Sequence, residues 1–254
     1  MDPHAQRVLS LCSGYGGLEL ALRLSGVAAR TVCYVEREAY PAANLAALME
    51  EGHLDHAPIW DDLATFEARP WRDVVEIVTA GFPCQPVAAP GQRKHTDDDR
   101  WIWTDIERIL RDVEPGVVFL ENSPRLLVSD GMGEVLGTLA ELGLNIEWTV
   151  LRASEVGACH DRARLFILAA HPDFISLWHK RGWRCGEGGK GSLLSGADGK
   201  EGHFAGAPQR LSEPRVDRAG DGAAHGVVRH SLLGNGVVPA QGAEAFRLLW
   251  GRIA

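Results

Sequence analysis

Leu9-Ser-Leu-Cys-Ser-Gly14-Tyr-Gly16-Gly17-Leu-Glu-Leu20 reads as a short apolar strand, a glycine turn and the first turn of a helix. Glycines at such a junction let the backbone take left-handed conformations and come close to a nucleotide-like ligand. Glu36 lies at the end of the next apolar run, about 20 residues on, where an acid holds ribose hydroxyls in folds of this kind. The turn lacks a full G-x-G-x-x-G, and no arginine for a 2′-phosphate is evident. These features alone leave the ligand open between S-adenosylmethionine and a dinucleotide.

Outward from this turn, the apolar runs Val8–Cys12, Thr31–Val35, Ile77–Ala80, Val117–Leu120 and Leu165–Ala169 alternate with helix-like segments at Gly17–Leu24, Ala39–Met49 and Trp103–Arg111. Such alternation predicts an α/β fold. The runs are apolar nearly throughout, as expected of strands buried on both faces of a mostly parallel sheet. From about His171 to Arg229 the texture changes to scattered glycines, charges and aromatics, which predicts a loop-rich region. Gly236–Leu249 then reads as a helix entered through Gly-Asn-Gly. The expected organisation is residues 1–170 for cofactor binding and catalysis, 171–229 for a short recognition region, and 230–254 returning to the first body.

Composition narrows the function. At 254 residues and 45% hydrophobic, the chain is large enough to bury a substantial core. No charged-then-apolar leader precedes Val8, and no run approaches the roughly 20 apolar residues that cross a bilayer, so a soluble cytoplasmic protein without membrane partners is expected. Five cysteines, odd in number and without a C-x-x-C pair, argue against a disulfide framework or a zinc site, and the ten histidines show no ligand spacing. No metal is expected. The net charge of −8 has the wrong sign for a protein that coats nucleic acid. Contact with DNA would need local basic groups such as Arg93-Lys94, Arg162/Arg164, Lys180-Arg181-Arg184 or Arg210/Arg215/Arg218.

Two further motifs lie at strand ends. Gly81-Phe-Pro-Cys84-Gln85-Pro86 follows the Ile77–Ala80 run, so its thiol is expected at the carboxyl edge of the sheet, where ligands of open α/β sheets gather. A lone cysteine is more often small core filling than a nucleophile, but a proline-bracketed turn positions this one. Glu121-Asn122 ends the Val117–Leu120 run at the same edge. By itself such a glutamate would cap a helix or face solvent.

Taken in order, these motifs resemble the DNA cytosine-5 methyltransferase family. Ser13–Gly17 resembles its cofactor turn, Glu36 its ribose-binding acid and Asp62 its adenine-contacting aspartate. Gly81–Gln85 resembles its Pro-Cys loop, Glu121-Asn122 its Glu-Asn motif, Arg162-Ala-Arg164 its Gln-x-Arg-x-Arg motif, and Leu233–Pro239 its final Gly-Asn motif. The resemblance covers residues 8–170 and 230–254. It implies a Rossmann-like class I methyltransferase fold with a small irregular recognition lobe, S-adenosyl-L-methionine as cofactor, and transfer of its methyl group to C5 of a cytosine flipped out of double-stranded DNA. The implied catalytic residues are Cys84, Glu121, Arg162 and Arg164. Cofactor contacts fall to Ser13, Gly14, Tyr15, Gly17, Leu18, Glu36, Asp62 and Asn235, and substrate contacts to Pro83, Gln85, Arg93 and Asn122. A monomer is expected, with an accessory protein for recognition as an option. Two alternative readings share this fold: a tRNA cytosine-5 methyltransferase with the same motif set, and a catalytically idle DNA-binding or regulatory relative, against which the presence of Cys84, Glu121 and Arg164 argues.

The chain departs from the family pattern at several points. His160 stands in place of the glutamine before Arg162, Ser123 follows Glu121-Asn122 where an aliphatic residue is usual, and Cys12 and Arg37 replace aromatics beside the cofactor. Ala88 and Pro90 replace serines of the mobile loop, and the recognition region is short.

Overall fold

The computed structural model describes residues 5–83, 101–180 and 236–254. Seven strands form one sheet: β1 Gln6–Leu11, β2 Ala29–Val35, β3 Ile59–Trp60, β4 Ile77–Gly81, β5 Val117–Asn122, β6 Asn145–Arg152 and β7 Ala163–Ala170. Their order is β3-β2-β1-β4-β5-β7-β6. Neighbours from β3 to β5 run parallel, whereas β7 lies antiparallel between β5 and β6. Sheet and helices together give the expected Rossmann-like architecture.

The helices are α1 Gly17–Leu24, α2 Ala39–Glu50, α3 Trp103–Val113, α4 Asp130–Glu141, α5 Pro172–Lys180 and α6 Pro239–Ile253. Apolar residues of α3 fall at Trp103, Ile106, Ile109, Leu110 and Val113, one stripe at helical spacing, and pack with Met132, Val135 and Leu139 of α4 on Leu9, Leu11, Val78, Leu120 and Ile167. On the other face Leu18 and Leu22 of α1, Trp178 of α5, and Phe246, Leu249 and Trp250 of α6 cover Val8, Ile77, Phe119 and Phe166. Tyr34, Leu45, Met49 and Leu54 form a third, smaller cluster beneath α2. Among the described residues no helix is long and apolar enough to cross a membrane.

The C-terminal helix begins three residues later than the sequence suggests, because Pro239 stands in its first turn and the chain before it is extended. Residues 172–180, expected within a loop-rich region, form a helix whose Trp178 packs on Trp250 at 4.6 Å between ring centroids. Its inward face of Ile175 and Trp178 explains why it joins the main body.

Candidate active site

The strand-to-helix turn after β1 is built from left-handed residues: Cys12, Gly14 and Gly16 have φ of 49°, 54° and 71°. Cys12 takes a conformation that costs a residue with a Cβ. Ser13 holds the turn to the sheet. Its amide donates to Val35 O at 3.1 Å, its hydroxyl donates to Ser10 O at 3.0 Å, and Ser10 Oγ donates to Ser13 Oγ at 2.8 Å. A Cβ on Gly17 would come within 2.9 Å of Val237 Cβ, so the segment leading into α6 lies directly on the start of α1.

Glu36 sits just beyond β2 at the same edge. One carboxylate oxygen accepts from Gly14 N at 2.8 Å and the other from Glu38 N at 2.8 Å. Burial raises its pKa, and these backbone donors oppose the rise. Asp62 accepts from Ala64 N at 3.0 Å and caps a short turn at Leu63–Thr65. Arg108 of α3 fixes that turn from behind, donating to Leu63 O at 2.6 Å and Phe66 O at 3.0 Å. Tyr15 is half-buried beside Gly14, whereas the Leu18 side chain is buried in the apolar cluster beneath the sheet. A ligand in the turn would therefore meet Leu18 through its backbone at most. A partly exposed carboxylate and a close-approach glycine turn at one sheet edge fit a ribose-bearing cofactor.

The second half of the site lies where β4, β5 and β7 end or begin. Register places Gly81 beside Glu121 and Asn122 beside Leu165. Glu121 is buried, and its Oε1 lies 2.7 Å from Arg164 Nε. Gly81 lies against this carboxylate: a Cβ there would sit in ordinary contact with Glu121 Oε2, at 3.5 Å. Burial pushes the Glu121 pKa up from 4.5 to about 7, with Arg164 pulling the other way. Near neutral pH this group therefore divides between a proton donor and an acceptor. Asn122 is buried as well; its Nδ2 donates to Phe82 O at 3.0 Å and its Oδ1 accepts from Ser123 N at 2.7 Å. With both ends of its amide on backbone, Asn122 holds the chain leading to Pro83 in place.

Pro83 is exposed at this edge. Cys84, Gln85, Arg93 and Asn235 lie outside the described residues. Arg162, just before β7, donates through Nη1 to Gly236 O, so its guanidinium reaches the segment preceding α6. The structure thus brings Gly81, Glu121, Asn122 and Arg164 together, and separately gathers Ser13, Gly14, Tyr15, Gly17 and Glu36.

Three polar residues in this neighbourhood escape sequence reasoning. Glu19 of α1 is buried, with Oε1 2.5 Å from Thr79 Oγ1, and burial raises its pKa. Gln241 of α6 is fully buried, and Arg108 has its turn-holding role. For Glu19 a signal existed: it lies beside Leu18, Ala21 and Leu22 on the apolar face of α1, where an acid is out of place.

The family described as "C-5 cytosine-specific DNA methylase" matches this chain over residues 6–184. Among curated relatives, Type II methyltransferase M.CviJI of Paramecium bursaria Chlorella virus IL3A is 30% identical over 169 residues, 66% of this chain and 44% of that protein. Type II methyltransferase M.NgoBV of Neisseria gonorrhoeae is 30% identical over 185 residues, 66% of this chain and 42% of that protein. The chain thus spans less than half the length of either relative. Among solved structures, DNMT2 of Spodoptera frugiperda superposes with a TM-score of 0.56 at 20% identity, covering 66% of this chain and 50% of that one. Dnmt2 of S. pombe gives 0.54 at 24% identity over 77% and 58%. These two likenesses show the shared fold.

Proposed function

The chain belongs to the C-5 cytosine-specific DNA methylase family, and from that premise we propose that it methylates C5 of cytosine in double-stranded DNA, using S-adenosyl-L-methionine. The observation that carries this reading is the buried Glu121–Arg164 pair at 2.7 Å, placed at the edge where β4 delivers the chain to Pro83 and Cys84.

Cytosine C5 is a weak nucleophile, so a neighbouring carbon must first be attacked. The Cys84 thiolate adds to C6, forming the S–C bond and moving the ring electrons toward N3 and C5. Glu121 in its protonated form donates to N3 and takes up the developing charge, which its raised pKa suits near neutral pH. Arg164, already oriented by Glu121, donates to the base carbonyl. When bound, the cofactor supplies an electrophilic sulfonium methyl. C5 would take that methyl as the sulfonium S–C bond breaks to leave a neutral thioether; loss of the C5 proton to solvent would then return its electron pair to C5=C6 and expel Cys84 as thiolate, with the N3 proton going back to Glu121. Arg162 orders the segment before α6, and Asn122 holds the backbone on which Pro83, Cys84 and Gln85 follow.

For the cofactor, the turn at Ser13, Gly14, Tyr15 and Gly17, the backbone of Leu18, and Asn235 would line the site. Glu36 would hold the ribose hydroxyls and Asp62 the adenine. C6 is inaccessible within a duplex, so the target nucleotide must swing out, with Arg93 in the loop that closes over it. Residues 1–170 and 230–254 form the catalytic part in this reading, and 171–229, which begin with α5 on the main body, carry target recognition, acting as a monomer or with an accessory protein.

DNA carrying 5-fluorocytosine should trap a covalent adduct with Cys84 in the presence of cofactor, because fluorine blocks the proton loss that frees the enzyme. Cys84→Ser should abolish the adduct. Trapping that persists in the variant would refute the nucleophile, and adducts formed on tRNA alone would move the substrate class.

A further inference from the structure

Helix α6 is mostly apolar on its inner face, yet Gln241 there has no exposed surface. Its Nε2 donates to Leu151 O at 2.8 Å and to Arg162 O at 3.1 Å. The amide has only one sensible orientation, since turning it over would set its oxygen against two carbonyl oxygens. An apolar side chain of the same volume would fill this place without desolvating an amide.

Both acceptors bracket one residue. Leu151 is the cross-strand partner of Arg164 in the β6–β7 register, and Arg162 lies two residues before it. Arg162 O also accepts from Ala153 N at 3.0 Å, so the turn that feeds β7 is held from two sides. The tie is reciprocal: the Arg162 guanidinium donates to Gly236 O, and Val237 next to it presses on Gly17. One set of contacts therefore joins the lead-in to Arg164, the base of α6 and the start of α1.

We infer that Gln241 is a positioning residue for base activation, pinning both strands around Arg164 so that its guanidinium stays on Glu121 while the same helix rests on the cofactor turn. This rests on the roles given above to Glu121 and Arg164. Gln241 touches neither substrate nor cofactor in this scheme and acts through Arg164.

The test is single-turnover methylation of DNA at saturating S-adenosyl-L-methionine, with the cofactor KM and the Tm measured alongside, for wild type, Q241M, Q241E, R164M and the double variant Q241M/R164M. Q241M should slow the single-turnover step about tenfold and change the cofactor KM by less than about twofold. Q241E should be slower still, because its carboxylate faces two carbonyl oxygens. In the R164M background, adding Q241M should cost no further rate, since two residues acting through one guanidinium are non-additive. If Q241M proves too unstable to assay, Q241N, whose shorter amide cannot span both acceptors, takes its place with the same expected pattern. Unchanged single-turnover rates, rate losses that multiply in the double variant, or a loss confined to Tm or cofactor KM would overturn the positioning role. An inactive wild type, or an R164M variant with full activity, would instead refute the underlying reading of the site.

Discussion

Replacing Glu121 by glutamine should remove two pH dependences at once. In the fold, burial lifts this carboxyl from 4.5 to about 7 against the pull of Arg164. An acid that binds its proton more tightly when folded contributes stability that is fully present below pH 4.5 and is lost as the pH rises through about 7. The size of that loss is about 3 kcal/mol, from about 1.4 kcal/mol per pH unit. Glutamine keeps a hydrogen-bond donor but never ionises, so the stability difference between wild type and Glu121→Gln should change by about this amount between pH 4 and pH 8. Urea denaturation at several pH values measures it. Catalysis should follow the same group: the wild-type rate should fall as the pH rises through about 7, because the ionised carboxylate cannot donate to N3. Glu121→Gln should lose that descending limb and about 10²–10⁴-fold in rate, with cofactor affinity kept. Arg164→Met removes the opposing charge and should move the limb upward by about 1–3 pH units. A stability difference that is flat with pH, or a descending limb that survives in Glu121→Gln, would refute the assignment.

Gly17→Ala should destabilise the protein by about 1–3 kcal/mol in chemical denaturation, because the new methyl meets Val237 Cβ and backbone O at 2.9 and 3.0 Å. Gly133→Ala in α4, where nothing lies within 4 Å, should instead be neutral or stabilising by up to about 1 kcal/mol. Asn122→Ala cuts the tether to Phe82 O and should cost about 1–3 kcal/mol while slowing adduct formation more than it weakens cofactor binding, read by fluorocytosine trapping and calorimetry. Expression in a methylation-free host, followed by mapping of methylated cytosines, should return a site of about 2–4 specified base pairs, each arginine–guanine contact contributing roughly 1–3 kcal/mol of discrimination; six or more would show that residues 171–229 read more than their length suggests.

The central strands were legible because burial on both faces leaves them apolar throughout, as in Val117–Leu120. Strand β6 was not singled out: it lies at the sheet edge, with Glu147, Thr149 and Arg152 among its apolar residues, so no continuous run marks it. Helix α4 was hidden by Gly131, Gly133 and Gly137, the first of which makes room for Trp101. At the site, the motifs located Glu121 and Arg164 but not their meeting, which depends on β7 running antiparallel beside β5. Gln241 left no trace because one amide in an apolar helix looks like a residue turned toward solvent.

Helix α6 packs on α1, with Arg247 donating to Leu24 O and Gly242 against Ala21, so residues more than 200 positions apart in sequence complete one layer. During synthesis the face of the sheet bearing Val8, Ile77, Phe119 and Phe166 emerges, with α1 and α5, long before α6, the last part of its cover, does. Contacts of such sequence separation form slowly, and an apolar sheet face waiting for its last helix is a target for chaperones or for aggregation. Shortening the time between translation of Phe166 and of Trp250, by synonymous codon choice over the intervening stretch, should therefore raise the yield of folded protein without altering a single residue.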